Sequence, residues 1–544
     1  MRASFGLVLL LLMAHSASAA WPSFHNDERN TGFQAGSDYA VYEDVWWNLK
    51  IAPATQVEAS AVVEDGIVII ADWAKTVRAL DAESGAEKWK ATFTAKISGT
   101  PAIASSKVFV VDESGSLKSF DLQKGTELGT TNVGATKASL TIHEGKIFVG
   151  NEAGEMKALD TETLTVLWRF TPAGLSETVQ TTTTPPPNPV TTTTCKDPIP
   201  TGPIRGAAAV YAGKVFFGSL SHYFFAVNEF GTGGQATNLQ WFFKAGDAIF
   251  GSPLIDTVRG TLTIGALDEK VYTFPASPSG QGPILVNGQV CSALRNTPVW
   301  TYSVPSTIGQ SKVYSSPASD GTRIYVGANN GNLYAINAGT GAKVWEFVTG
   351  GAVYSSPAVS NGIVVAGSDD GNVYWLNATD GLKLKQFSMG SAVKASPALD
   401  GKRAFLSSFE GSVYMFGPKI PPRPDLSVSA VSYLDGAIRV AVLNSGNGPS
   451  NATNIRLQVD GVLVADAPLP AIAAGATTTV VQPHPLTEGA HVIQAIADFA
   501  STEKESKESN NELTTAVTAE AKASFLLSPL VFLVALVLLA ARRR

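Results

Sequence analysis

Polar and apolar residues between 353 and 388 follow short alternating runs. The runs VYSSPAVS and GIVVAGS are separated by Asn361-Gly362, a two-residue hairpin signal, and Asp370-Gly371 and Asp380-Gly381 mark two further turns. The final run, LKLKQFS, alternates Leu and Lys, which predicts one buried and one solvated face. No 3.6-residue period is present. The pattern therefore predicts four short antiparallel strands within about 40 residues, the size of one propeller blade.

The same unit recurs along the chain. SSPA at 315–318 is repeated at 355–358 and, as ASPA, at 395–398, while weaker copies occupy the same place at 58–66, 98–106, 137–145, 205–213 and 250–256. The count predicts an eight-bladed β-propeller, or a seven-bladed one if a weak copy is misassigned. The last unit ends after SVYMFG (412–417), and the stretch at 56–63 has no partner in its own unit. These two ends are predicted to complete one shared blade, which removes exposed sheet edges.

The repeat resembles that of a known family. YAINAGTGAKVWEF (334–347), VRALDAESGAEKWKA (77–91) and MKALDTETLTVLWRF (156–170) look like the repeat of the PQQ-like, quinoprotein-type eight-bladed propellers. WPSFHNDERNTGF (21–33) resembles the segment that often precedes them, so the resemblance covers residues 21–418. It implies that the tryptophan of the repeat packs between blades, at Trp89, Trp168, Trp241, Trp300 and Trp345.

The resemblance leaves catalysis open, because the family contains both pyrroloquinoline quinone (PQQ) dehydrogenases and propellers without a cofactor. The enzymes use an adjacent pair of cysteines, calcium ligands and an aspartate base, whereas this chain has only Cys195 and Cys291. No calcium-ligand set matches, and acids such as Asp81 and Asp160 stand where hairpin turns favour them. We therefore expect no catalytic residues, no metal site and no cofactor, with cofactor-binding residues unassigned. A PQQ- and calcium-dependent dehydrogenase remains the alternative.

Two insertions interrupt the predicted ring, a Thr/Pro-rich one at 177–202 and a second at 276–296, and each contains one cysteine. An extracytoplasmic setting favours a disulfide between Cys195 and Cys291. Against it, the first insertion joins two blades and the second lies between the third and fourth strands of one blade. Hairpin parity places such insertions on opposite faces of the disc, so the pairing is left open.

A second domain follows a Pro-rich linker at 419–424. Alternating residues between Asp-Gly and Gly-Asn turns predict a β-sandwich at 425–517. VLNSGNGPSNATNIRLQVDG (442–461) and GAHVIQAIAD (489–498) resemble a CARDB domain, an Ig-type module whose family implies a spacer or contact role in cell adhesion. Asn377 and Asn451 begin N-glycosylation sequons.

The chain ends carry membrane signals. Residues 1–19 resemble a secretory signal peptide, 20–48 form an N-terminal arm before the propeller at 49–418, and 518–524 link the sandwich to a predicted transmembrane helix at 525–541. Three arginines at 542–544 would hold that end in the cytoplasm, with the bulk of the protein outside. A net charge of -6 without a basic face argues against nucleic-acid binding.

The whole pattern predicts an all-β protein, an eight-bladed propeller of four-stranded blades plus a β-sandwich, with a single transmembrane helix. The function it favours is a non-catalytic binding or scaffold module for a protein or surface glycan, anchored in an archaeal or bacterial envelope. The quinoprotein dehydrogenase is the runner-up, and an assembly factor for other envelope proteins is a further alternative.

Overall fold

The protein is described here by a computed structural model. It describes residues 20–34, 44–51, 55–183, 191–231, 238–278, 284–286, 289–292, 294–305, 311–400, 402–418, 424–446, 448–498 and 511–519. The chain divides into two compact units, residues 1–419 and 420–544. In the described part, no helix is long and apolar enough to cross a bilayer. The predicted signal peptide at 1–19 and membrane helix at 525–541 lie outside the described residues.

The first unit is a ring of eight antiparallel sheets, which confirms the predicted propeller and excludes the seven-bladed alternative. Each blade runs from an inner strand of two or three residues to an outer strand, joined by tight turns. Blades 1 to 4 comprise Val62–Glu64, Ile67–Ala71, Thr76–Asp81 and Glu87–Thr92; Ala102–Ala104, Lys107–Val111, Ser116–Asp121 and Glu127–Asn132; Thr141–His143, Lys146–Gly150, Met156–Asp160 and Val166–Phe170; and Ala209–Tyr211, Lys214–Gly218, Tyr223–Asn228 and Leu239–Lys244.

The second half of the ring follows the same plan, and two short strands are added to the ring as a whole. Leu294–Arg295 pairs in parallel with the outer strand of blade 4, and Phe33–Gln34 pairs in parallel with the inner strand of blade 7. Blades 5 to 8 comprise Leu254–Asp256, Thr261–Ala266, Lys270–Pro275 and Trp300–Ser303; Ala318–Ser319, Arg323–Gly327, Asn332–Asn337 and Lys343–Val348; Ala358–Ser360, Ile363–Gly367, Asn372–Asn377 and Lys383–Ser388; and Ala398–Asp400, Arg403–Ser407, Ser412–Gly417 and Asp44–Lys50.

The ring closes through blade 8, but not with the strand that we predicted. Its outer strand is Asp44–Lys50, which pairs antiparallel with Ser412–Gly417, whereas the stretch at 56–63 leads into the inner strand of blade 1. The prediction was wrong because the closing strand is not adjacent to the first repeat. It lies largely within residues 20–48, which we predicted to be an arm. The indole of Trp46 fixes the junction by donating to the carbonyl of Pro418 at 2.9 Å.

The predicted tryptophans lie between neighbouring blades. In each, the indole Nε1 donates to a backbone carbonyl of the next blade, at distances of 2.7–3.3 Å. The pairs are Trp89 with Leu122, Trp168 with Glu229, Trp241 with Ala276, Trp300 with Ala338, and Trp345 with Ala378. Trp47 of the closing strand makes the same bond to Ala82 at 3.2 Å, a role that the sequence analysis missed.

The glycine of the repeat explains the spacing of the motif. The turn of the next blade places a glycine against the indole, so that a Cβ there would lie 2.2–2.8 Å from a ring atom. These glycines have positive φ angles, and they are Gly85, Gly125, Gly231, Gly341 and Gly381. A residue without a Cβ is thus required both by the backbone conformation and by the tryptophan.

At the interface of blades 2 and 3, the positions of the large side chain and the glycine are exchanged. In blade 2 the tryptophan position is occupied by Gly129, which pairs with Ser119 as Trp89 pairs with Ala79. In blade 3 the glycine position is occupied by Leu164, with a φ of 56°. A Cβ on Gly129 would lie 3.2 Å from Leu164 Cδ1, so the leucine fills the space that an indole fills elsewhere.

The two insertions form hairpins of their own, Ser176–Thr183 with Thr191–Pro198 and Ile284–Val286 with Gln289–Ser292. The parity argument placed them on opposite faces of the disc. In the structure the strand Gln289–Ser292 lies beside both strands of the first hairpin, so the insertions meet. Parity describes where each insertion leaves its blade and not how far it extends.

The second unit is a β-sandwich with one hydrophobic core. Leu426–Leu434, Ala437–Asn444 and Thr477–Pro483 form one sheet; Val462–Leu469, Thr453–Val459, Gly489–Ala497 and Glu512–Ala519 form the other. Alternate residues of Ala437–Asn444 are buried, as the polar and apolar alternation predicts. The core side chains include Ile438, Val440, Leu457 and Ile493.

Candidate functional site

A ring of hydroxyl groups surrounds the propeller axis. The second serine of each SSPA-like motif stands just before an inner strand, and its side-chain oxygen accepts the backbone N–H of the equivalent residue in the preceding blade. The seven bonds are 2.7–3.1 Å long. The eight positions are Ser60, Thr100, Ser139, Ala207, Ser252, Ser316, Ser356 and Ser396. Ala207 is the one member without a hydroxyl, so the ring of bonds is open between blades 3 and 4.

The N-terminal segment closes one end of the axis. Residues 21–34 wind past the inner strands of most of the blades and accept their free amide protons. The donors are Val63, Ile103, Val210, Ile255, Ser319 and Val359, at N···O distances of 2.7–3.0 Å. The buried Asn30 donates to the carbonyls of Ala208 and Pro253, and Phe24 faces the axis as a floor.

The remaining space is a cavity of about 490 Å3 that is open at the opposite end, and we call it the axial cup. Its mouth is lined by the residue that stands two positions before each ring position, one from every blade. In blade order these are Glu58, Ser98, Lys137, Arg205, Phe250, Tyr314, Tyr354 and Lys394. Trp73 and Lys96 complete the mouth.

Neighbouring mouth residues form an aromatic arc. The rings of Phe250 and Tyr314 lie 5.5 Å apart, and those of Tyr314 and Tyr354 lie 5.1 Å apart, both edge-to-face. Lys394 continues the arc, with its Nζ 5.3 Å from the centre of the Tyr354 ring. Burial raises the pKa of Tyr354, so its phenol stays neutral.

Most cations of the mouth have partners. Arg205 forms two hydrogen bonds with Glu152, at 2.9 and 2.8 Å, and Lys96 lies 3.4 Å from Glu113 and 3.7 Å from the Trp73 ring. These contacts fix the positions of the charges. Lys137 is different. It is half-buried in the mouth and, in the described part of the chain, its ammonium has neither an ion pair nor a hydrogen bond.

The cup does not suit a calcium-bound quinone. Calcium takes six to eight oxygen ligands, several of them carboxylates. Of the described residues that line the cup, Glu58 is the only acid, and four are cations: Lys96, Lys137, Arg205 and Lys394. The nearby carboxylates of Glu113 and Glu152 are already paired. The residues that are present therefore supply no converging set of oxygen ligands.

The other predicted site residues are not among those that line the cup. Asn377 ends a strand of blade 7 and accepts the amide of Thr379, while Asn451 is exposed between two strands of the sandwich. Both glycosylation sites remain predictions. The side chains of Cys195 and Cys291 lie outside what the structure describes, so their disulfide also remains a prediction. Because the two insertions contact each other, hairpin parity no longer argues against that disulfide.

The recurring turn acids have structural partners. Asp160 Oδ1 accepts the amides of Glu162 and Thr163, and the Thr163 amide and hydroxyl lower the pKa of this carboxyl. Asp81 accepts the amides of Glu83 and Ser84 in the same way. Such contacts are those of hairpin turns and do not point to catalysis.

A histidine and two acids meet at the interface of blades 3 and 4. Ligand atoms of His143, Glu144 and Glu229 lie within 4.8 Å of one another. Lys146 Nζ lies 3.0 Å from Glu229, however, and supplies the positive charge that a metal ion would bring. We interpret this group as an ion-pair network.

The sequence analysis missed the cup, although its signal was present. The SSPA motif defines the repeat and also places one equivalent residue of each blade near the axis. The residues two positions before each serine could therefore have been predicted to form a ring. Only the closure of eight blades brings residues as distant in sequence as Glu58 and Lys394 to one opening.

Two family descriptions match the chain. Residues 423–515 match CARDB, and residues 43–128 and 287–466 match a family described as outer membrane protein assembly factor BamB. The chain thus combines a propeller of the PQQ-like type with a CARDB domain, as the sequence predicted. No curated protein matches it.

Solved structures show the same fold at low identity. BamB from Moraxella catarrhalis is 15% identical, with a TM-score of 0.51 over 69% of this chain and 99% of its own. The quinohemoprotein alcohol dehydrogenase of Comamonas testosteroni is 15% identical, with a TM-score of 0.56 over 77% and 84%. A related dehydrogenase, ADHIIG from Pseudomonas putida HK5, is 16% identical, with a TM-score of 0.55 over 76% and 83%. The similar folds therefore include both an assembly factor and enzymes.

Proposed function

We propose that the chain is a non-catalytic binding module in which the propeller recognises a protein partner at the axial cup. The observation that carries this proposal is the composition of the mouth, where cations and aromatic rings converge around a single acid. Such a lining suits recognition of an anionic, partly apolar surface. The match to the BamB family supports a protein rather than a glycan as the partner, and an assembly role remains within this proposal.

The location of the module is part of the proposal and rests on the sequence. The signal peptide at 1–19 and the apolar segment at 525–541 with its three terminal arginines support an extracytoplasmic propeller with a membrane anchor. In chain order the CARDB domain stands between the propeller and that anchor, which suits a spacer.

The competing proposal is a PQQ-dependent dehydrogenase. Two observations favour it: the cup has the size of a cofactor pocket, and quinohemoprotein dehydrogenases share the fold. The poor match of the lining to calcium argues against it.

Fluorescence separates the two functions because Trp73 lines the cup. The full chain would be titrated with PQQ and Ca²⁺ while tryptophan emission is followed, and a Trp73→Phe variant would serve as the control. A binding module gives no saturable quenching. Saturation at micromolar quinone that is reduced in Trp73→Phe and abolished in Glu58→Gln would overturn the proposal in favour of the enzyme.

A further inference from the structure

The mouth of the axial cup has two chemically distinct sides. In a ring of eight blades, blade 3 stands opposite blade 7, so Lys137 faces Tyr354 across the axis. The aromatic arc of Phe250, Tyr314 and Tyr354 belongs to blades 5 to 7 and lies across from Glu58, Ser98 and Lys137 of blades 1 to 3. Arg205 and Lys394 flank the arc at its two ends. A ligand held here meets the ammonium of Lys137 on one side and aromatic faces and edges on the other.

The deep wall is lined by the hydroxyls of the ring, and the floor is the phenyl ring of Phe24. The ring oxygens accept backbone amides of neighbouring blades, and each hydroxyl keeps an O–H that can donate to an oxygen of a ligand. The charged side chains that line the cup stand at its mouth, so a carboxylate of a ligand is met there. This arrangement suits a peptide chain that enters from solvent, with its charged side chains at the mouth and its carbonyl oxygens within reach of the deeper hydroxyls.

Lys137 indicates that the ligand of the cup carries a negative charge. The other mouth cations hold protein carboxylates or lie over aromatic rings, whereas Lys137 is half-buried with no partner in the described residues. A partly desolvated ammonium is stabilised by a carboxylate, and a hydrogen bond between two such charged groups is about twice as strong as a neutral one.

We propose that the axial cup binds an acidic, aromatic-containing peptide segment of a partner protein, with a carboxylate on Lys137 and an aromatic side chain on the arc of Phe250, Tyr314 and Tyr354. This inference rests on the proposed function and specifies the chemistry of its partner. Charge complementarity selects the acid, and edge-to-face packing selects the aromatic residue.

Calorimetric titration of the full chain with short blocked peptides tests the inference. The probe is GDFDFG, with GNFNFG to remove the charge and GDADAG to remove the aromatic rings. We expect GDFDFG to bind, each analogue to bind about tenfold more weakly, and the affinity to fall as NaCl is raised. Lys137→Gln weakens binding of GDFDFG about tenfold. Lys124→Gln, on an exposed turn of blade 2, is the matched control and leaves the binding unchanged.

Three results with bound peptide or glycan would overturn the inference. One is equal affinity for GDFDFG and GNFNFG, and another is an effect of Lys137→Gln no larger than that of Lys124→Gln. The third is tighter binding of a hexuronate oligosaccharide, which would assign the cup to an anionic glycan. Absence of peptide binding with a flat quinone titration removes this inference and leaves the binding module, whereas saturable quinone binding removes both. Tyr354→Leu, which keeps the mouth apolar, supports the aromatic contact if it weakens GDFDFG but not GDADAG.

Discussion

The contact between a glycine and a tryptophan at each blade interface yields a quantitative prediction. Gly85 and Gly66 both belong to turns of blade 1, and both have a φ of 73°. A Cβ on Gly85 would lie 2.7 Å from Trp47 Cδ2, whereas a Cβ on Gly66 would have nothing within 4 Å. Substitution by alanine therefore imposes the same backbone strain at both sites, and a steric clash at only one.

The structure gives the size of the difference. A left-handed alanine costs about 1 kcal/mol of unfolding free energy relative to glycine, and this applies to both variants. At Gly85 the indole must also retreat by several tenths of an ångström from a position that its hydrogen bond to Ala82 holds. Overpacking of this kind costs about 1–3 kcal/mol. We expect Gly66→Ala to lose about 1 kcal/mol and Gly85→Ala about 2–4 kcal/mol.

Denaturant titration followed by tryptophan fluorescence measures these losses. All ten tryptophans lie between residues 21 and 375, so the signal reports the propeller and not the sandwich. The additional loss in Gly85→Ala should disappear in a Trp47→Leu background, where the ring is absent. If Gly85→Ala costs no more than Gly66→Ala, or if the additional loss survives in Trp47→Leu, the packing argument is wrong.

Three further predictions concern the exchanged interface of blades 2 and 3, the N-terminal segment at 21–34 and the hydroxyl ring. Gly129→Trp should destabilise the propeller, and adding Leu164→Gly should recover at least about 1 kcal/mol, because the pair restores the arrangement of the other interfaces. Burial lowers the pKa of His25 to about 4 from 6.5, so the folded protein keeps the imidazole neutral. The free energy of unfolding has its full value above pH 6.5 and falls by up to about 3 kcal/mol as the pH drops to 4, because the unfolded chain binds the proton first. Denaturation of wild type and His25→Gln at several pH values measures this loss. Ser356→Ala should cost about 1–3 kcal/mol in the same titrations, because the buried amide of Ser316 loses its acceptor.

Each of these predictions has a contradicting outcome. The exchange argument fails if the double variant is no more stable than Gly129→Trp. The role of His25 fails if the stability difference between wild type and His25→Gln is independent of pH; the comparison removes the contribution of the acids, which titrate in both proteins. The ring argument fails if Ser356→Ala is as stable as an alanine at an exposed serine such as Ser303.

The fold was predictable from the sequence because the sequence pattern of one blade is repeated along the propeller. The register of SSPA, the turn glycines and the alternation of the strands are local signals, and repetition removes the ambiguity of any one copy. The closing strand Asp44–Lys50 was not predictable in this way, since it belongs to no repeat and its partner is at the other end of the unit. The meeting of the insertions was missed because parity describes where a hairpin begins and not how far it extends.

The sequence by itself determined the all-β class, the repeat of the blades, five of the tryptophans between them and the CARDB domain, since each depends on residues that are near one another in the chain. Tertiary structure alone decided the axial cup. Its mouth takes one residue from each blade, and its floor is a segment that precedes the whole ring. Because Lys137 and Tyr354 face each other only after eight separate sheets have closed, no local pattern records that they share a site.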